Sequence, residues 1–212
     1  FKKNYRNTVH IAKAALSLLS NEKDQSEFTT VETALTGGEK PKIAYYSDYD
    51  EQLNHLDDQL TILKNSNNLK STVVLHRSTS GVKQIKAFLD SNGFSTELVK
   101  SNLAVNYGSD SIKICTMSSI KGLEFNNVII IDLNDDIIPY PPGFIEADDE
   151  FHISTERRLL YTCMTRARNK LYLFSSDKEN PSRYLKEINA GLLEDISPKS
   201  SSKTTYNDDL PF

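Results

Sequence analysis

The sequence predicts an α/β domain built on a mostly parallel sheet, with helices on both faces and a disordered C-terminal tail. Three observations carry that prediction. Runs such as Val128-Ile129-Ile130-Ile131 are apolar throughout rather than alternating, which is how strands buried on both faces read. Along the chain such runs alternate with stretches whose apolar residues recur at helical spacing, the pattern of β-α units. The 212 residues suffice for one such domain of generous size, able to bury roughly 70% of the surface its unfolded chain exposes.

Taken in order, residues 4–19 place Ile11, Ala14, Ala15, Leu18 and Leu19 at helical spacing, with Asn4 or Asn7 as the cap. Residues 21–41 are polar and broken by Gly37-Gly38, which makes them a connector. Ile43-Ala44-Tyr45-Tyr46 is a short β-rich run, and Leu53, Leu56, Leu60 and Leu63 mark the helix after it. The unit repeats with Thr72-Val73-Val74-Leu75 as strand and Val82, Ile85 and Leu89 as helix. Gly93 is the stop of that helix and 95–99 the next strand. Ile112-Lys113-Ile114-Cys115 and Val128-Ile129-Ile130-Ile131 are strands on either side of the connector 117–127. Residues 135–149 carry Pro139, Pro141, Pro142 and Gly143 among acidic residues and read as a surface loop. A helix over 155–170, a last strand Leu171-Tyr172-Leu173-Phe174 and a short helix over 182–188 complete the body. The organisation is a helix and connector in 1–40, the core in 41–190 and a disordered, acidic-tipped tail in 191–212, Ser/Thr/Lys-rich from Ser197.

Composition bounds the function. Lys+Arg 25 against Asp+Glu 29 gives a net charge of −4, so any grip on nucleic acid must come from a local basic patch rather than the field of the whole molecule. The longest apolar run is four residues, far short of the roughly 20 needed to cross a bilayer. Cys115 and Cys163 sit in apolar runs without a CxxC pairing or a histidine at ligand spacing, which reads as reduced, buried and cytoplasmic and sets zinc and disulfides aside. The start, Phe1-Lys2-Lys3-Asn4, has neither an initiator Met nor an apolar leader and reads as an internal boundary of a longer protein.

Four segments could carry chemistry. Thr116 to Phe125 supplies two hydroxyls, Lys121, Gly122 and Glu124. In an open parallel sheet ligands collect at carboxyl ends of strands, and such groups suit a phosphate and a ribose hydroxyl there. The plainer reading is a strand connection in which Gly122 only turns the chain. Between Glu156 and Arg168, Leu159, Leu160, Cys163, Met164 and Ala167 form one apolar stripe, with Arg158 and Arg166 on other faces. A guanidinium fork there suits a transferring phosphoryl group, and the plainer reading is an amphipathic helix with solvated arginines. Asn4-Tyr5-Arg6 puts another arginine at a helix start, and Leu75-His76-Arg77-Ser78 ends a strand in polar groups. Alone, neither says much.

In this order the four segments resemble the later motifs of UvrD/Rep-type superfamily 1 helicases, from Phe1 to about Phe174. The resemblance implies a RecA-like fold, the second motor domain of an ATP-dependent DNA helicase, with a first RecA-like domain upstream. The chain has no GxxxxGK[ST] phosphate loop, so ATP and its Mg2+ would be held mainly by that upstream domain and this chain alone should be inactive. The resemblance further implies that Arg6 and Arg166 reach the γ-phosphate. It puts Gly122 and Glu124 over the nucleotide with Glu124 on the ribose, and Arg77, Ser78, Thr116, Ser118 and Lys121 along single-stranded DNA. Two departures stand out. Ser118 replaces a frequent His of the family, and the 115 positions from Arg6 to Lys121 leave no room for the inserted subdomain of the larger members. Two activities are open on this resemblance: a translocating helicase, or a non-unwinding ATPase clamp that remodels RNA polymerase or a DNA-bound complex. The ending Asp208-Asp209-Leu210-Pro211-Phe212 resembles the acidic tip of bacterial single-stranded DNA-binding proteins and offers one apolar anchor to a protein partner.

Overall fold

The computed structural model describes residues 7–20, 37–99, 105–140 and 149–199. Arg6 and residues 208–212 therefore lie outside the described residues. The body is a parallel sheet in the order β3-β4-β2-β5-β6-β1-β7. Its strands are β1 (Lys42–Tyr45), β2 (Thr72–His76), β3 (Thr96–Leu98), β4 (Ile112–Thr116), β5 (Phe125–Ile130), β6 (Ala167–Ser175) and β7 (Glu194–Asp195). Every pairing among them is parallel. The fold class is the expected one, an α/β RecA-like sheet.

Successive strand residues serve opposite faces. Val73 and Leu75 of β2, with Cys115, Val128, Ile130, Leu171 and Leu173, pack against α1 (Val9–Leu18), α4 (Glu150–Met164) and α5 (Arg183–Glu187). Val74, with Ile112, Ile114, Ile129 and Ile131, packs against α2 (Tyr49–Asn65) and α3 (Thr79–Ser91). One apolar run thus feeds two cores, which is why the strands do not alternate in the sequence.

Three boundaries differ from the sequence reading. The first helix is capped by Thr8, whose side chain accepts from the Ile11 N–H, rather than by Asn4 or Asn7. Asn7 is buried and used elsewhere. The helix expected over 155–170 instead runs from Glu150 to Met164, with Asp149 as its cap. Residues 167–170 belong to β6 because Ala167 and Lys170 pair with Phe125 and Asn127 of β5. Ala, Arg and Lys are good helix formers, but helix propensity is a weak preference that sheet pairing overrides. Finally, the start of the tail expected from 191 is ordered: Glu194 and Asp195 pair with Lys42 and Ile43 as an outer strand.

Candidate functional site

In a parallel sheet each connection must carry the chain from the carboxyl end of one strand back to the amino end of the next. β4 ends at Thr116 and β5 begins at Phe125, so the connector between them crosses from edge to edge. A 3₁₀ turn, Met117–Ile120, buries Met117 and Ile120 in the first layer on the way. The expectation that Thr116 to Gly122 lies at the carboxyl ends of the strands is corrected accordingly for Gly122. Thr116 and Ser118 stay at the carboxyl edge, Gly122 and Glu124 reach the amino edge, and Lys121 is exposed on the stretch between.

At the amino edge, Gly122 has φ +85° with open space around its missing Cβ, so backbone conformation rather than crowding calls for glycine. The Glu124 carboxylate lies 3.8 Å from the Arg168 guanidinium, and both are substantially exposed. Ser71, Tyr107 and Asn126 line the same cleft. The Phe125 N–H donates to the Arg166 carbonyl at 3.0 Å, beside a register shift between Phe125 and Asn127. That one backbone bond brings Arg166 and Glu124, 42 positions apart, to a common edge.

Arg166 occupies the turn between α4 and β6, not the helix interior. Its Nε donates to the Thr162 carbonyl at 3.1 Å, which keeps the half-buried guanidinium along the last turn of α4. Asn7 anchors this turn: its Nδ2 donates to the carbonyls of Thr165 and Ala167, the two residues flanking Arg166. The sequence signal for Asn7 was its place beside Arg6, yet a buried clamp and a helix cap look alike in a sequence.

At the carboxyl edge, Arg77, Ser78, Thr79, Ser80, Thr116, Ser118 and Tyr140 line one groove. Thr116 and Ser119 hydroxyls bond at 2.9 Å. Arg77 is not a free cation. Its Nε and Nη2 donate to both oxygens of the buried Glu156 at 2.8 and 2.9 Å, which raises the Arg77 pKa further. The guanidinium also lies over the Tyr140 ring, 4.6 Å from its centre. The Tyr140 N–H donates to the same Glu156 carboxylate at 3.0 Å. Ser78 caps α3, its side chain accepting from the Gly81 N–H. Gly81 is required here, since a Cβ would stand 2.1 Å from the His76 ring.

Behind this edge is a buried network that the sequence reading did not assemble. His76 Nδ1 accepts from the Ser78 N–H at 2.9 Å, so Nε2–H donates to Asp132 at 3.0 Å. The other Asp132 oxygen accepts from Gln52 at 2.9 Å, and the Asp132 N–H returns a bond to Gln52 at 3.0 Å. Every member is satisfied, which rigidifies rather than destabilises the core. Burial alone pushes the Cys115 thiol up to about 12 and is the largest cause of the upward shift at Cys163, so neither is a poised nucleophile.

Comparison with known proteins adds a family. A family model described as the UvrD-like helicase C-terminal domain matches residues 1–104 and 95–178. The ATP-dependent DNA helicase PcrA of Leuconostoc citreum is 28% identical over 212 residues, covering 92% of this chain and 27% of that protein. PcrA of Bacillus subtilis is 35% identical over 107 residues, 46% of this chain and 14% of the relative. The chain thus spans about a quarter or less of these relatives. The C-terminal domain of a possible DNA helicase from Lactobacillus plantarum superposes with a TM-score of 0.66 at 20% identity, covering 90% of this chain and 98% of that one. That likeness is one of fold.

Proposed function

Because the chain belongs to the UvrD-like helicase C-terminal domain family, we propose that it is the second RecA-like motor domain of an ATP-dependent DNA helicase. ATP would bind between its amino edge and an upstream RecA-like domain, and single-stranded DNA would lie along its carboxyl edge. The observation that supports this most directly is the Arg166 turn, bonded on one side to Phe125, the residue after Glu124, and on the other to the neighbour of Arg6.

On this reading Arg166 and Arg6 offer fixed positive charge to the γ-phosphate oxygens, where charge rearranges in the transition state. Glu124 accepts from the ribose hydroxyls once it turns from Arg168, and Gly122 lets the backbone approach. Magnesium would neutralise phosphate charge. Among the described residues no group of three or more His, Cys, Asp or Glu side chains could hold a metal ion, so its ligands would come mainly from the upstream domain. At the other edge the hydroxyls of Thr116, Ser118 and Ser78 and the ammonium of Lys121 follow the strand phosphates. Arg77, with two of its five donors held by Glu156, adds charge and a preset geometry. A cytoplasmic setting accompanies this reading, supported by two buried thiols. The ending 208–212 would dock on a partner protein.

The test is ATP hydrolysis by the protein that joins this chain to its upstream RecA-like domain, with and without single-stranded DNA. Strand-stimulated turnover is expected; turnover indifferent to the strand would overturn the reading.

A further inference from the structure

Two chains of hydrogen bonds meet on the buried Asp132 carboxylate, and each starts at a backbone N–H. In the first, the Asp132 N–H donates to the Gln52 carboxamide oxygen at 3.0 Å, which turns the Gln52 amide nitrogen toward Oδ1 at 2.9 Å. In the second, the Ser78 N–H donates to His76 Nδ1 at 2.9 Å, which leaves the ring proton on Nε2 and aims it at Oδ2 at 3.0 Å. A backbone N–H only donates, so neither direction can be reversed. Position 132 must accept from both sides, which an ionised carboxylate does and a carboxamide does not.

The backbone narrows the choice independently. Residue 132 has φ +55°, a left-handed conformation that Asp and Asn tolerate better than other residues with a side chain. Asn would suit that backbone but not the hydrogen bonds. With its oxygen held by Gln52, its amide would face His76 Nε2 and draw the ring proton to Nδ1, setting two donors, Nδ1–H and the Ser78 N–H, against each other. Nδ1–H would turn instead to the Ser78 carbonyl or hydroxyl, each 3.2 Å away. That hydroxyl already caps α3 through the Gly81 N–H at 3.1 Å.

We infer that Asp132 is a positioning residue: it fixes the His76 tautomer, and through it the turn that carries Arg77 and Ser78 at the carboxyl-edge groove. Arg77 is held from the other side by Glu156, so two buried carboxylates pin two neighbouring residues of that turn. The consequence for strand affinity rests on the strand-binding reading above, whereas the tautomer does not.

NMR of the 212-residue chain reads the tautomer from the His76 ring nitrogens, assigned by their loss in His76→Gln, and reads the Ser78 amide by hydrogen exchange. Fluorescence anisotropy with labelled oligo-dT at low salt reads the strand. The native chain should show Nε2–H and a protected Ser78 amide. Asp132→Asn should move the proton to Nδ1, speed exchange at Ser78 but not at Val74 in mid-strand, and weaken oligo-dT binding about 5-fold, the order of one lost hydrogen bond. The double change Asp132→Asn, Gln52→Glu exchanges carboxamide and carboxylate. The relocated carboxylate accepts both donors of position 132 and returns an oxygen to Nε2–H, so the original tautomer, Ser78 protection and most of the strand affinity should come back. Nδ1–H in the native chain, or oligo-dT affinity unchanged once the proton has moved, overturns the positioning role and leaves the strand reading standing. A double variant that folds with Nε2–H yet recovers no affinity does the same. A native chain that binds no oligo-dT overturns both.

Discussion

Arg166→Ala in the complete protein should lower ATP turnover by about 10²-fold or more with far less loss of nucleotide affinity, because a guanidinium aimed at developing charge serves the transition state more than the ground state. Single-strand-stimulated turnover beside equilibrium binding of a non-hydrolysable analogue checks this, and Arg6→Ala should behave alike. Arg77 makes a different demand. Glu156 is only 4% exposed, and Arg77→Met leaves that carboxylate buried without its partner, a loss of about 3–5 kcal/mol in urea unfolding. Adding Glu156→Gln should recover much of it. The third case is acid sensitivity. Hydrogen bonds from the Arg183 side chain hold Asp135 below its ordinary value of 3.8, at 2.7 and 2.9 Å. A folded pKa below the unfolded one stabilises above the unfolded value and is lost as pH falls through the folded value. Asp135→Asn should therefore be less stable than the native chain at neutral pH, and urea midpoints of the two should converge as pH drops from about 5 to below about 3.

At the scale of elements, the strands were legible because burial on both faces leaves no room for polar residues, as Val73, Val74 and Leu75 illustrate. The end of α4 was not. Ala167-Arg168-Asn169-Lys170 carries helix-compatible residues, and only the long-range pairing with β5 makes it strand. The same limit hid the division of the site. Thr116 to Glu124 is one continuous motif in the sequence, and which half belongs to which edge depends on a crossover over β2 that no local pattern encodes. Partnerships such as Arg77 with Glu156, 79 positions apart, are equally invisible to spacing. β7 escaped for a simpler reason: two residues are too short for any periodicity. A truncation series tests its role. Ending the chain after Lys199 should leave the melting temperature unchanged and abolish capture of any protein recruited through 208–212. Ending it after Leu193 also removes the Glu194 N–H bond to Pro41 and the Ile196 N–H bond to Ile43 and should cost about 1–3 kcal/mol in stability. Thermal melts and a pull-down with the last-residue peptide as competitor separate the two effects.

For the whole molecule, a net charge of −4 means that strand attraction is local. The isolated chain, with half the proposed groove missing, should bind single-stranded DNA weakly and with affinity falling steeply as salt rises, since each phosphate contact releases counterions. Titrations at low and moderate salt measure that slope, and tight salt-insensitive binding would contradict it. No helix among the described residues is long and apolar enough to cross a membrane.

The connector 117–124 has one further consequence. Its centre is fixed by Met117 and Ile120 in the core, and a buried Cys163 thiol donates to the Met117 carbonyl. On the proposed function this short anchored segment would join the strand edge at Thr116 to the nucleotide edge at Glu124. Two ligands acting on a single stiff segment share one coupling free energy, and thermodynamic linkage makes it symmetrical. On the proposed function, any factor that nucleotide adds to strand affinity the strand must add to nucleotide affinity, and loosening Ile120 should erode both by the same ratio.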